Sequence, residues 1–376
     1  MYYQKFQLSL VLFVLKIGIG KIEPYYCRVQ KHRRLQKLEA VRGLAAFYVF
    51  LHHFVHLNED LIFLRKYFIF GQLAVLTFFV LSGFVIYYAS IGRKPALRFR
   101  DFFVHRFRRI YPPFLLALAL GWVVRSIAIG EVADPNWDQL LGNLFMLQDK
   151  NIVGSWFSPY LGNSPLWSLS YEWWFYMMFF GLHLLTRKRP QQQKFIALGL
   201  SILGFISFQI APNPISLFLG YFILWWSGLE LAREYLEDNT LTWRRQAISI
   251  ASVGLAGICW GIPAFIAYRS GLAINIGVHP FIEFRHFSSI FLVLFAGIIW
   301  YKLKFIGFQQ TLSIFSRLAP ISYALYIVHL PIIAFAVHFQ FTGSAWLDFL
   351  WVTPLVLGLS WVIEQPFQKW INTWLR

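Results

Sequence analysis

Along this chain, long apolar runs alternate with short polar connections. Runs of roughly 18–22 residues recur, each long enough to cross a bilayer as a helix. They fall at about 40–57, 71–90, 110–130, 165–186, 195–211, 214–233, 246–268, 286–303, 318–340 and 345–364. No series of alternating ten-residue segments appears, as a membrane barrel would need. The pattern predicts an all-α integral membrane protein of about ten transmembrane helices. Ahead of the first span, "FQLSLVLFVL" is short for a crossing and is followed by basic residues rather than by a small-residue cleavage site. Residues 1–34 are therefore expected to be an N-terminal extension, an apolar interfacial segment and then a basic stretch. Residues 35–376 are expected to form one transmembrane domain.

Composition agrees with the pattern. Of 376 residues, 58% are hydrophobic and 14% charged, well under the roughly 25% charge of ordinary soluble domains. The net charge of +17 would suit nucleic acid, but its distribution argues for a lipid bilayer as the partner. Alternate connections hold 26 Lys and Arg on one side, against only Arg65, Lys66, Lys150, Arg269 and Arg285 on the other. That asymmetry is the positive-inside pattern, so both ends of the ten-helix core are expected in the cytoplasm. Cys27 and Cys259 supply neither a disulfide framework nor a cysteine metal site.

Within this apolar chain the polar residues stand out. The first span, "KLEAVRGLAAFYVFLHHFVHL", carries Glu39, Arg42, His52, His53 and His56. Intramembrane ionisable groups are costly and usually face a protein interior or a wet cavity. Eleven residues at about 100° each bring Arg42 and His53 onto one face, roughly 16 Å apart along the axis. Arg106, Arg108 and Arg109 precede Pro112 and Pro113 in "HRFRRIYPPF". Proline suits a helix start, and arginines beside a helix N-terminus make a phosphate site. In "SPLWSLSYEWWFY", Ser168 and Glu172 share a face, with Glu172 roughly 10 Å below the surface if the span starts at Pro165. In "ISYALYIVHLPII", Ser322, Tyr326 and His329 share another, with His329 roughly 16 Å deep. Arg42, Arg106 and Arg109 are thus expected at the inner mouth, and His53, Glu172 and His329 are expected to meet within the membrane. The outer connection, about 131–164, adds acidic residues with Trp137, Trp156 and Tyr160, a mixture that suits either sugar contact or an interfacial aromatic belt. His279, Glu283 and His286 in "GVHPFIEFRH" have spacing that permits an outer metal site.

At these residues the chain resembles the acyltransferase-3 family, membrane O-acyltransferases that acetylate bacterial surface polysaccharides and related glycans. The resemblance covers about residues 35–376. It rests on six segments in order: "LEAVRGLAAFYVFLHH", "TFFVLSGFVIYY", "RFRRIYPPFLLAL", "SPLWSLSYEWWFY", "SYALYIVHLPI" and "EQPFQKW". By position it implies that Arg42 and His53 are the family's Arg–His pair and Arg106 and Arg109 its paired arginines. It likewise makes Glu172 the glutamate of its Trp-Ser-Leu-Ser-x-Glu motif and His329 its late-helix histidine. The chain departs from the pattern at Glu39 in place of Asp, at Trp173 where a second Glu is frequent, and at Gln365 where Arg is common.

The resemblance implies a multi-pass protein of the bacterial inner membrane that moves an acyl group, above all acetyl from acetyl-CoA, onto a hydroxyl of a glycan or glycolipid. In that reading Arg42, Arg106 and Arg109 hold the phosphates of the acyl-CoA donor. His53 takes the acceptor proton, or carries the acyl group transiently. Glu172 orients an imidazole or binds acceptor, and His329 stabilises the oxyanion or lines the acceptor site. No permanently bound cofactor and no metal is expected. The rival is a transporter or flippase, since buried histidines and carboxylates also build proton relays; inverted halves and paired broken helices are not evident in the sequence.

Overall fold

The computed structural model describes residues 23–90, 98–151, 153–238 and 240–374, with side chains from Gln36 onward. All ten expected spans are helices: α1 (Glu23–Leu57), α2 (Gly71–Ser90), α3 (Phe99–Ile129), α5 (Trp167–Leu185), α6 (Gln193–Ile210), α7 (Pro214–Asp238), α8 (Trp243–Arg269), α9 (Phe281–Lys302), α10 (Ser322–Phe339) and α11 (Ala345–Val362). A short helix, α4 (Trp137–Leu144), lies in the long connection before α5, and a π turn, Ile363–Phe367, joins α11 to α12 (Gln368–Trp374). In hydrocarbon every backbone N–H and C=O must be satisfied within the segment, which is why these apolar runs are helical. The segment "FQLSLVLFVL" lies outside the described residues, and α1 is under way by Glu23.

Among the described residues, nine helices are long and apolar enough to cross a membrane. The tenth, α5, falls short because Ser168, Ser170, Tyr171, Glu172 and Tyr176 dilute its apolar run. It is instead lodged inside the protein, with Trp167, Tyr171, Phe175 and Phe179 all buried. Its start is sunk as well. The preceding turns Tyr160–Gly162 and Ser164–Leu166 carry buried Tyr160, Asn163, Pro165 and Leu166. Pro165 therefore does not mark the surface, and Glu172 lies deeper than its distance from Pro165 implies.

α1 packs on α2 and α10, and α2 on α7. Gly83 and Gly228 face each other's helices across the α2–α7 contact: a Cβ on either would strike the opposite backbone, at Trp225 O and Val80 O. Small residues of this kind let membrane helices approach to backbone contact.

Prolines inside the helices leave carbonyls without their usual N–H partner. Pro112 and Pro113 do not begin a helix, as the sequence pattern predicts; they lie within α3, which starts at Phe99. The carbonyl that the missing N–H of Pro112 would have met belongs to Arg108, and Gln368 Nε2 donates to it at 2.8 Å. Pro331 in α10 likewise frees Ile327 O, which accepts from Asn163 Nδ2 at 2.9 Å. Side chains from distant segments complete the ladder and fix those segments in place.

Candidate functional site

A cavity of about 500 Å³ opens among α1, α2, α3, α5 and α10. Arg42, Arg106, Arg109 and Glu172 all line it, with Glu39 and His105. Of the residues expected to share faces, Ser168 lines the cavity with Glu172, and Ser322 with Tyr326, whereas His329 and His53 do not line it.

The three arginines differ in what they touch. Arg109 makes a two-pronged ion pair with Glu364, Nη1 to Oε2 and Nη2 to Oε1, and its guanidinium lies 5.3 Å from the centre of the Tyr323 ring. Glu364 is buried and also accepts from the N–H of Ala324 at 3.2 Å, in the first turn of α10. Arg109 is thus already matched by a carboxylate. Arg42 donates through Nη2 to Ala319 O at 2.8 Å, and Arg106 lies over the rings of Phe102 and Tyr176, at 6.0 and 5.8 Å. The Nε–H groups of Arg42 and Arg106 are buried without an acceptor. Buried donors left unpaired are unfavourable, so these two guanidinium groups are the ones a bound anion would complete. Because α3 starts at Phe99, all three arginines sit well inside a helix or beyond its first turn, and no free N–H groups of an α3 N-terminus stand beside them.

Glu172 belongs to this cationic end and does not reach an imidazole. Its Oε1 accepts from Ser82 Oγ at 2.9 Å and from the Tyr176 hydroxyl, and Trp225 Nε1 donates to Ser82 Oγ at 3.2 Å. The expected meeting of Glu172 with the histidines fails because the sunken start of α5 carries it past them.

The two histidines do meet. His329 Nε2 lies 3.0 Å from His53 Nδ1, and the rings are 5.0 Å apart. Their protons follow from the remaining partners. His329 Nδ1 is 2.8 Å from Leu325 O, a carbonyl that can only accept, so Nδ1 carries the proton and Nε2 the lone pair. His53 Nδ1 lies 3.0 Å from Val49 O and 3.0 Å from that lone pair, so it donates to both. His53 Nε2 is left with a free lone pair. The histidines do not line the cavity. Between stands Tyr326, which does line it and whose ring is 6.3 Å from that of His329. Its hydroxyl donates to Pro165 O at 2.7 Å and accepts from Ser168 Oγ at 2.8 Å.

Glu364, Ser82 and Tyr176 are site residues that the sequence reading missed. Tyr176 could have been found as the residue four beyond Glu172, and Glu364 as an acid in an apolar final span. Of the outer-loop aromatics, Tyr160 is buried and bonded to Pro135 O at 2.8 Å, whereas Trp137 and Trp156 are exposed. The residues read as an outer metal site part company. His279 pairs with Glu283 at 3.1 Å, while His286 donates from Nε2 to Gln72 Oε1 and accepts at Nδ1 from the Tyr221 hydroxyl. Among the described residues no group of three ligand-type side chains could hold a metal ion.

Residues 35–365 match the family described as "Acyltransferase domain", acyltransferase-3. Acyltransferase MdmB of Streptomyces mycarofaciens is 32% identical over 130 residues, 32% of this chain and 30% of that protein. The aligned part is thus under a third of that relative's length. No solved structure matches the chain.

Proposed function

Because the chain belongs to the acyltransferase-3 family, we propose that it is a membrane acyltransferase that moves an acyl group, acetyl above all, from acyl-CoA to a hydroxyl of a cell-surface glycan, glycolipid or its precursor. One observation supports this most. A cavity with two incompletely bonded arginines is lined by a tyrosine, Tyr326, whose ring lies 6.3 Å from that of His329, one of two coupled imidazoles.

The donor's phosphates bind at Arg42 and Arg106, whose Nε–H groups lack acceptors, and its thioester arm extends into the cavity toward Tyr326. A volume of about 500 Å³ lies within the range of small-molecule pockets. Arg109 keeps its fork on Glu364, so it sets the cavity wall and the first turn of α10 rather than serving as the principal phosphate ligand. Rotation of Tyr326 away from Pro165 and Ser168 brings the thioester carbonyl to the histidines.

His53 Nε2 removes the proton from the acceptor hydroxyl as that oxygen attacks the acyl carbon. The C–S bond then breaks, CoA leaves as the thiolate, and it takes the proton back from His53. His329 accepts the hydrogen bond from His53 Nδ1 and so holds the base in the tautomer that exposes Nε2. Glu172, with Ser82 and Tyr176, places a fixed negative charge opposite the arginines, which orients the guanidinium groups.

The bias of basic residues toward one set of connections supports a donor that enters from the cytoplasmic side of the bacterial plasma membrane and an acceptor on the other side. The test uses sealed vesicles of known orientation. Acyl-CoA supplied only to the cytoplasmic face should label acceptor and release free CoA. Labelling that requires acyl-CoA on the opposite face, or an absence of CoA release, would overturn the proposal.

A further inference from the structure

The polar residues that α5 gives to the cavity form a single stripe. Ser168, Glu172 and Tyr176 are four apart and all three line it. They therefore stand one above another, about 6 Å per step along the helix axis. The stripe joins the two ends of the cavity. Tyr176 lies under the Arg106 guanidinium, with its ring centre 5.8 Å away. Ser168 Oγ bonds to the Tyr326 hydroxyl at 2.8 Å. Glu172 stands midway between the arginine end and the tyrosine end.

The Glu172 carboxylate is held on one side only. Ser82 Oγ donates to Oε1 at 2.9 Å, and the Tyr176 hydroxyl donates to the same oxygen. Ser82 in turn accepts from Trp225 Nε1 at 3.2 Å, and Trp225 is fully buried, so this clasp has little freedom to move. With Oε1 pinned by two donors, the direction of Oε2 is fixed as well. Among the described residues both hydrogen bonds to this carboxylate fall on Oε1. No arginine closes on it either. Arg109 keeps Glu364, Arg42 gives Nη2 to Ala319 O, and Arg106 lies over the rings of Phe102 and Tyr176. A carboxylate has about four acceptor positions, so one oxygen is left to answer an N–H or O–H that enters the cavity.

We infer that Glu172 Oε2 accepts a hydrogen bond from an amide N–H of the donor's pantetheine arm as that arm crosses from the arginines to Tyr326. The inference deepens the reading of acyl-CoA as the donor, and rests on it. The arm carries two secondary amides between its phosphates and its sulfur, and each offers an N–H. Much of the surrounding wall is apolar, with Phe78, Leu81, Val85 and Ile86 in the lining, so a charged acceptor there discriminates strongly. Glu172 is thus a specificity residue for the donor arm rather than a partner of an imidazole.

The test measures equilibrium binding of CoA itself, which carries the whole arm and has no acyl group to transfer, to the purified full chain in neutral detergent. Two CoA analogues are compared with it, each with one arm amide N–H replaced by an ester oxygen. The wild type should bind at least one analogue about tenfold or more weakly than CoA, the loss of one charge-assisted hydrogen bond. In Glu172→Gln, Ser82 and Tyr176 both demand an acceptor at the Oε1 position, which turns the amide nitrogen toward the cavity. That variant should bind the same analogue at least as tightly as CoA. Glu172→Asp keeps the charge but draws it back by one methylene, and should lose most of the discrimination. Equal binding of CoA and both analogues by the wild type overturns the inference. So does discrimination that persists unchanged in Glu172→Gln and Glu172→Asp, which would place the amide-reading group elsewhere. A wild type that binds none of the three probes sinks the acyl-CoA reading, and the inference with it.

Discussion

The two ends of the site solve opposite problems with the same kinds of side chain. At the cavity end, ionisable groups face open space and are shaped by partners from far along the chain: Arg109 by Glu364, Glu172 by Ser82. At the histidine end, His53 and His329 face each other, and their other hydrogen bonds go to carbonyls of their own helices, Val49 and Leu325. The cavity end is assembled by tertiary contact. The histidine end is fixed by local helix geometry plus one contact. Binding is expected to tolerate change, whereas chemistry is expected to depend on single atoms.

The largest break in that comparison should come at His53. His53→Ala is expected to lower transfer by about 10²–10⁴-fold, the usual worth of a general base, with membrane abundance unchanged. His52→Ala, whose ring is turned to Phe68 O and His56, should be milder. Acylation in the His53 variant at the wild-type rate and abundance would remove it from the chemistry.

At the cavity end the arginines should separate. Arg106→Ala is expected to raise the donor KM about tenfold or more with kcat little changed, and Arg106→Lys to recover only part. Arg109→Ala and Glu364→Gln should instead lower stability, by ~1–3 kcal/mol for a half-open pair. Their combined effect should be well short of additive in a thermal-unfolding cycle. Equal KM effects from Arg106 and Arg109 would erase the distinction drawn between them.

A smaller effect tests the loop that seats α5. Burial, partly offset by hydrogen bonds from Asn151 and Tyr171, raises the Asp149 carboxyl from 3.8 to about 6. The folded state thus holds this proton more tightly than the unfolded chain does. Asp149 therefore favours folding most below its unfolded pKa, loses that advantage as pH rises from about 4 to about 6, and is level above it. Asp149→Asn should flatten the wild-type fall in thermal midpoint across that window, a difference on the order of 3 kcal/mol. An unchanged profile would mean that the carboxyl titrates normally.

The smallest change is Asn163→Ala, which leaves Ile327 O without its side-chain donor. Stability should fall by ~1 kcal/mol, and transfer should fall with it if the α10 register positions His329. Unaltered activity at normal abundance would show that α10 holds its register without this bond.

Much of this was legible in the sequence because helical periodicity is local. The pairing of Ser168 with Glu172 and of Ser322 with Tyr326 follows from residue spacing and is seen in the cavity lining. What failed depended on depth. Pro165 resembles a surface helix start, yet a buried loop surrounds it, and this error moved Glu172 from the histidines to the arginines. Pro112 and Pro113 likewise resemble a helix start, because nothing local reveals that Gln368, 260 residues from Arg108, supplies the lost hydrogen bond. The pairing of Arg109 with Glu364 was hidden for the same reason, at a separation of 255 residues.

The layer formed by Tyr326, Ser168 and the Pro165 carbonyl has a consequence for the membrane itself. Without it, protonatable groups would run from Glu39 and Glu172 at one end to His53, His52 and His56 at the other, close to a continuous proton wire through the bilayer. The tyrosine hydroxyl is a poor link in such a wire, because it donates to a carbonyl that cannot pass a proton on. In the proposed reaction this closed layer separates the two compartments and opens only while a donor arm fills the gap. A chain with Tyr326→Ala should therefore collapse a pH gradient across sealed vesicles faster than the wild type, even with no donor or acceptor present.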